Sequence, residues 1–147
     1  MRTDDGLEIL DQAECRRLMA GAKVGRIGFT ARAMPAIQPV QVAVHAGRVV
    51  VPVRPGGRLA TACRGAVVVV QADCTAPSSG STWSVEVVGT ARVVTDRGEV
   101  AALDRLGLQT WTAAGDRCYV TVAMEAITGW RFPVMPPETR LYDLLTR

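Results

Sequence analysis

The residues with the clearest potential for binding chemistry lie in one short stretch, residues 53–59, which reads Val-Arg-Pro-Gly-Gly-Arg-Leu. Consecutive glycines allow a backbone to approach a ligand closely. A helix that begins directly after them offers unpaired N–H groups, and the flanking Arg54 and Arg58 match the oxygens of a phosphate. The stretch predicts an anion site, and its composition is equally that of an ordinary loop between a strand and a helix.

Residues for acid–base, nucleophilic or metal chemistry form no recognisable group. His45 is the one histidine and lies at a predicted turn, while the acidic residues are scattered along the chain. Motifs for a serine nucleophile, a P-loop or a dinucleotide fold are absent. The cysteines are too widely spaced to predict a metal site: Cys15, Cys63, Cys74 and Cys118. The sequence therefore predicts neither a catalytic residue nor a metal ligand.

Composition indicates a single β-rich domain. The chain has 147 residues, of which 48% are hydrophobic and only 5% aromatic, and valine and alanine supply most of the apolar share. That length fits one domain, and β-branched valine favours strands. The net charge of +3 is carried almost wholly by arginine. No basic run is longer than the pair Arg16-Arg17, so nucleic-acid binding is not predicted.

Two features argue against export and membrane insertion. The first ten residues carry four charged side chains, which is unlike a signal peptide. The longest apolar run, residues 66–70, is far shorter than the roughly 20 residues that a spanning helix needs. We therefore expect a cytoplasmic protein with reduced thiols and no membrane partner.

The hydrophobic pattern predicts a small antiparallel barrel with short helices. Alternation and valine runs indicate six strands, at residues 24–30, 37–45, 48–53, 67–70, 83–93 and 117–128. Helices are predicted at residues 11–20, 59–63 and 96–106, with Asp11 and Asp96 as possible N-caps in capping boxes.

Three details of this pattern are specific enough to check. Pro39 is expected at an edge, bulge or kink, and the valine run 67–70 predicts a strand covered on both faces. A proline-rich segment and a short helix are expected over residues 133–147. The whole chain is expected to be one domain, residues 1–147, with its core at about 10–132.

A series of short motifs runs along most of the chain in a specific order. They are the helix at residues 11–20 followed by Val24-Gly25-Arg26-Ile27, then Pro39-Val40, Gly56-Gly57-Arg58-Leu59, Trp83-Ser84-Val85, Val88-Gly89-Thr90-Ala91, Asp116-Arg117 and Ile127-Thr128-Gly129. In order and spacing they resemble the pyridoxamine 5'-phosphate oxidase-like, FMN-binding split-barrel family, in its small actinobacterial-type branch. The resemblance spans residues 10–132.

The resemblance implies a fold, a cofactor and a set of site residues. It implies a mainly β (α+β) homodimer of six-stranded antiparallel split barrels, with two flavin sites at the subunit interface. The strand around Pro39, Val40 and Gln41 would run beside the flavin ring. The remaining positions would address the ribityl chain and phosphate or border the ring: Val53, Arg54, Gly57, Arg58, Leu59, Trp83 and Trp111.

Two functions follow from the resemblance, and both stay open at this point. The first is a flavin-binding oxidoreductase with a small-molecule substrate, using FMN or, alternatively, a deazaflavin coenzyme. The second is a degenerate split-barrel dimer that holds no cofactor and serves as a binding or structural module. The chain reads Val51-Pro52-Val53 where related sequences commonly read Phe-Arg-Thr, and the Pro52 and Val53 substitutions favour the second. Gln41 stands where asparagine is usual. Arg54 offers a replacement charge for the first.

Overall fold

The computed structural model of the chain describes residues 1–4, 6–75, 82–110 and 116–132. Within these ranges lie three short helices and nine strands, so the mainly β prediction is confirmed. The helices are α1 (Gln12–Gly21), α2 (Arg58–Cys63) and α3 (Arg97–Asp104). The strands are β1 (Glu8–Ile9), β2 (Val24–Ala31), β3 (Met34–Gln41), β4 (Ala43–His45), β5 (Arg48–Val53), β6 (Val67–Cys74), β7 (Thr82–Val94), β8 (Cys118–Ala123) and β9 (Ala126–Phe132).

The strands form one antiparallel sheet that winds around the core without closing over the described residues. Its order is β3-β2-β6-β7-β8-β5-β4, with β9 paired to the first half of β7 and β1 paired to β9. The long strand β7 therefore carries β6 on one side and both β9 and β8 on the other. This is the open, antiparallel arrangement expected of a split barrel.

The predicted single strand at residues 37–45 is two strands, because the chain changes partner within it. β3 pairs with β2, and β4 pairs with β5. β3 also begins earlier than expected, because Arg32 and Ala33 adopt positive φ angles of 51° and 62° that close a tight hairpin. β3 is an end strand of the described sheet, and Pro39 lies on it as predicted.

The predicted last strand, residues 117–128, is also divided in two. Ala91 lies opposite Val122, and Val88 lies opposite Ala126. Between these two pairs, the stretch from Val122 to Ala126 therefore contains one residue more than the facing part of β7. This is the geometry of a β-bulge. The bulge is held by Glu125, whose carboxylate accepts the Thr90 N–H at 3.1 Å, and this hydrogen bond lowers the pKa of Glu125.

The expectation that the valine run 67–70 is covered on both faces is wrong. Val68 and Val70 are buried, but Val67 is 66% exposed. The run belongs to an antiparallel strand with one face on the core, in which successive side chains point to opposite faces.

The predicted N-caps of two helices are confirmed, but the reciprocal half of each capping box is not. Asp11 accepts the Glu14 N–H at 2.8 Å, and Asp96 accepts the Glu99 N–H at 3.1 Å. The Glu14 carboxylate binds Arg17 and Arg131 instead, at 2.7 and 3.0 Å, so it connects α1 to β9. Helix α1 is thereby fixed over the end of the barrel.

The core has two parts, one inside the barrel and one beneath α3. The second contains Tyr119, which is fully buried and whose hydroxyl donates to Asp104 at 2.5 Å. Burial, followed by this hydrogen bond and the Asp104 charge, raises the pKa of Tyr119 to about 12. Both faces of β8 are therefore buried, since α3 covers the side that faces away from the barrel.

Some expectations fall on residues that the structure does not describe. The proline-rich segment and terminal helix at 133–147 lie outside the described residues, as does Trp111. In the described ranges no helix combines the length and apolar character needed to cross a bilayer. The four cysteines form no disulfide, and three of them are buried.

We predict that Gly89→Ala prevents stable folding. A Cβ atom at Gly89 would overlap the Ala123 carbonyl oxygen and lie 2.8 Å from its carbonyl carbon, and backbone there cannot move without breaking the β7–β8 pairing. The expected loss in the free energy of unfolding is at least about 4 kcal/mol, measured by urea denaturation followed by circular dichroism.

The matched control is Gly21→Ala at the end of α1, where a Cβ meets nothing within 4 Å. It is expected to leave stability unchanged or to raise it by roughly 0.5–1 kcal/mol. Similar unfolding midpoints for the two variants would contradict the account of Gly89.

Candidate ligand-binding cleft

A cleft of about 320 Å³ opens where the ends of β3 and β5 meet the start of α2. It brings together eight of the ten residues predicted for the site: Pro39, Val40, Gln41, Val53, Arg54, Gly57, Arg58 and Leu59. Gln38, Pro52, Gln109 and Thr110 are the other described residues of the lining. Residues far apart in the sequence are thus adjacent because two sheet segments converge on one helix.

The wall formed by β3 contains one exposed and one buried residue side by side. Pro39 is exposed, whereas Val40 is 5% exposed and belongs to the barrel core. The backbone at the cleft is therefore anchored by Val40 while Pro39 presents a rigid apolar surface.

The loop between β5 and α2 closes as a tight turn. The Gly57 N–H donates to the Arg54 carbonyl at 3.1 Å, and Gly56 adopts a φ of 66°, which favours glycine. Gly57 is the N-cap residue of α2 and has no side chain to cap the helix. Its N–H is committed to the turn, so Gly57 contributes space at the cleft and not a free donor.

Arg58 begins α2 and is held over an aromatic ring. Its guanidinium carbon lies 5.3 Å from the centre of the Phe29 ring, and Phe29 is buried. A cation over the face of a ring is attracted to it, which orients the guanidinium without using its hydrogen-bond donors. Arg54 lines the same end of the cleft, and no acidic residue is among the described lining residues. This end is electropositive.

The floor of the cleft is apolar at the end of β5. Pro52 and Val53 lie opposite Tyr119 and Cys118 of β8. Pro52 brings neither a charge nor an N–H, so the end of β5 offers packing surface and no anion ligand. Burial raises the pKa of the Cys118 thiol, with Arg64 acting in the opposite sense. Cys118 is therefore a neutral thiol at neutral pH.

The remaining wall belongs to the segment 107–110, which is held by two hydrogen bonds with residues outside it. Gln41 Oε1 accepts the Gln109 N–H at 2.8 Å, and Arg117 donates to the Leu108 carbonyl at 2.7 Å. Leu108 itself is buried beneath α3. Gln41 was predicted to run beside a flavin ring, and in the structure its amide oxygen positions this wall.

Sequence reasoning missed Gln109 and Thr110. The Gln41–Gln109 hydrogen bond joins residues 68 positions apart, and no periodic pattern in the sequence predicts such a contact. The one local signal was glycine after the third predicted helix, since Gly107 has a φ of 69° that ends the helical segment.

Other residues considered from the sequence lie elsewhere. Trp83 is half-buried on β7, packs against the barrel core and does not line the cleft. His45 lies at the β4–β5 hairpin, as expected for a turn residue, and Arg64 follows the far end of α2. Within the described residues no group of three histidine, cysteine, aspartate or glutamate side chains is arranged to hold a metal ion.

Comparisons with known proteins agree with this geometry. Residues 11–132 match the sequence profile of the pyridoxamine 5'-phosphate oxidase family, so the chain belongs to that family. It is 38% identical over 127 residues to an uncharacterized protein of Mycobacterium tuberculosis, a match that covers 83% of each chain.

Two solved structures are similar in both fold and sequence. A putative pyridoxamine 5'-phosphate oxidase from Corynebacterium glutamicum has a TM-score of 0.75 at 27% identity, covering 86% of this chain and 98% of that one. The FAD binding protein of Mycobacterium smegmatis has a TM-score of 0.70 at 30% identity, covering 85% and 97%. The split-barrel fold and the family resemblance are thereby confirmed.

We predict that Gln41→Leu loosens the wall at residues 107–110 while the barrel stays folded. The variant removes the acceptor of the Gln109 N–H, and a hydrogen bond of this kind contributes about 0.5–1.5 kcal/mol. Amide hydrogen exchange, followed residue by residue, is expected to be faster at Gln109 and its neighbours and unchanged in β6 and β7.

Gln38→Leu is the control, because Gln38 lines the same cleft and is exposed. It should leave exchange at Gln109 as in the unmodified chain. Equal exchange rates at Gln109 in both variants would show that Gln41 does not position this wall.

Proposed function

We propose that the cleft binds a flavin nucleotide, with FMN as the first candidate, and that the protein is a flavin-dependent oxidoreductase for a small molecule. The observation that carries the proposal is the convergence of eight residues from two separate segments, 39–41 and 53–59, on one cleft with an electropositive end. The 30% identity with an FAD binding protein supports a flavin as the ligand.

The lining of the cleft offers the two kinds of surface that a flavin nucleotide needs. Pro39, Val40, Pro52 and Leu59 offer apolar surface, as a planar ring system requires. Arg58 and Arg54 offer guanidinium groups, as a phosphate requires. Because Pro52 and Val53 at the end of β5 carry no charge, the phosphate would be bound on the side of the cleft next to α2.

The residues of the cleft are suited to holding a cofactor rather than to catalysis by their own side chains. Its described lining contains no histidine, cysteine, aspartate or glutamate. A bound flavin supplies the hydride and electron transfer. The chain would then bind the phosphate through Arg58 and Arg54, orient the ring against Pro39, and exclude water with the wall that Gln41 holds.

A second candidate is favoured by one feature of the cleft. Pro52 lines it at a position where the family resemblance implies an arginine, and proline offers neither a charge nor a backbone donor. A split-barrel module that binds no flavin is therefore the alternative, and a deazaflavin coenzyme is the alternative cofactor. Direct titration with each cofactor distinguishes flavin binding, deazaflavin binding and the absence of cofactor binding.

We also propose that the chain is a homodimer with the cleft at the border of the interface. Across five strands of the outer sheet face the pairing aligns Ile37, Gly28, Val69, Val88 and Ala126 in one apolar row. Ile37 is 70% exposed, and Val67 beside the row is 66% exposed. An exposed apolar row on the outer face of the sheet is a surface that a second copy would cover.

The polar row next to it connects this face to the cleft. It contains Pro39, Arg26, Gln71, Glu86 and Thr128, aligned by the same pairing. Since Pro39 also lines the cleft, a second copy seated on the apolar row would adjoin the cleft and complete its open side.

Flavin binding is tested by fluorescence quenching with FMN, FAD and a deazaflavin coenzyme in separate titrations. We expect micromolar binding to the unmodified chain and a loss of about ten-fold or more in Arg58→Ala, because a charge-assisted hydrogen bond contributes about 1.5–3 kcal/mol. Arg54→Ala should weaken binding in the same direction.

Arg105→Ala is the control for charge, because Arg105 is an exposed arginine after α3 that does not line the cleft. Its affinity should equal that of the unmodified chain. No quenching by any of the three cofactors at about 100 μM, a concentration that would fill a micromolar site, would exclude the flavin proposal and favour the cofactor-free module.

The dimer is tested by light scattering during size exclusion. The expected mass is twice 15.7 kDa for the unmodified chain and 15.7 kDa for Val88→Lys, which places a charge within the apolar row. Thr61→Lys, on the exposed side of α2, should remain dimeric. A monomeric mass for the unmodified chain at micromolar concentration is the result that excludes the dimer.

A further inference from the structure

A second groove lies at the opposite ends of β5 and α2 from the cleft. It has a volume of about 380 Å³ and receives arginines from three different elements. Arg48 begins β5, Arg64 follows α2, and Arg92 lies on β7. Arg48 is about 17 Å from Val53 along the strand, at roughly 3.3 Å per residue. The two sites therefore share no lining residue and are separate.

The arginines of this groove are held in place and are only partly neutralised. Arg48 uses its Nε to donate to the buried Thr121 hydroxyl at 3.2 Å, which leaves its two terminal nitrogens for other acceptors. Arg92 pairs with Glu99 at 2.9 Å. Arg64 makes no ion pair with a described residue.

The nearest carboxylates do not line the groove. Glu99 is occupied by Arg92, and Glu125 accepts the Thr90 N–H while the charge of Arg48 helps to lower its pKa. The described lining contains arginine, threonine and glycine but no acidic residue. The groove is therefore a positive surface bounded by carboxylates that are already engaged.

The edge of β7 adds a backbone donor to the groove. The Ala91 N–H donates to the Ala66 carbonyl at 2.8 Å, and the Ala91 carbonyl accepts from Gly65 at 3.1 Å, so Ala91 bonds away from β8. Because the direction alternates along a strand, Val93 points the same way. The pairing of β6 with β7 extends only as far as Thr90, so β6 does not reach Val93. The Val93 N–H therefore faces the groove and has no hydrogen-bond partner among the described residues.

We propose that this groove binds a small phosphate-bearing ligand, independently of the flavin cleft. Its donors come from arginines on three different elements and from a strand edge, which suits the several oxygens and higher charge of a phosphate better than a carboxylate. A guanidinium anchored through Nε presents its remaining N–H groups in a fixed direction, so Arg48 is organised before the ligand arrives.

Pyrophosphate is the probe, titrated by calorimetry into the full chain at about 0.15 M salt, where exposed charges are strongly screened. We expect saturable binding that weakens about ten-fold or more in Arg64→Ala and further in Arg64→Glu. Arg105→Ala, which makes the same charge change elsewhere, should bind as the unmodified chain does. In a ¹⁵N-labelled sample the Val93 amide signal should shift on binding.

Arg58→Ala separates this site from the cleft, and succinate separates phosphate from carboxylate. Pyrophosphate binding that survives Arg58→Ala and exceeds that of succinate supports the proposal. It is overturned if binding is lost in Arg58→Ala and kept in Arg64→Ala, if succinate binds equally well, or if no heat is detected at about 1 mM pyrophosphate. Each of these outcomes is independent of whether the cleft binds a flavin.

Discussion

The close crossing of Gly89 and the Ala123 backbone is the contact on which the rest of the structure depends. β7 is thirteen residues long and is the strand that joins both halves of the sheet, with β6 and β9 along one part and β8 along the other. The change from β9 to β8 requires a bulge, and the bulge brings the Ala123 carbonyl onto Gly89. Only a residue without a Cβ leaves room for it, so one glycine permits the sheet to turn.

That turn determines how the cleft is assembled. One wall, β3, reaches β7 through β2 and β6, and the other, β5, reaches it through β8. The two walls thus belong to different arms of the sheet, and the Gln41–Gln109 and Arg117–Leu108 hydrogen bonds fix the segment between them. Binding in such a cleft depends on the angle between the arms as well as on its lining residues.

The sequence was informative where local chemistry decides the structure and silent where distant contacts do. Asp11 and Asp96 act as predicted N-caps, because capping depends on residues close together in the sequence. The bulge at Glu125 and the wall at Gln109 depend on partners 35 and 68 residues away. The valine run misled for a related reason, since composition does not reveal which sheet face another element covers.

The two positive sites differ in how their arginine side chains are held in place. At the cleft Arg58 lies over the Phe29 ring, so its charge is oriented while all its donors stay available to a ligand. At the groove Arg48 is oriented by a hydrogen bond to Thr121, which uses one donor and leaves the others aimed in one direction. The sites lie at opposite ends of β5, farther apart than the Debye length of about 8 Å at physiological salt. An anion at one site therefore changes the electrostatic potential at the other only weakly, and any coupling between them would have to pass through β5 or α2.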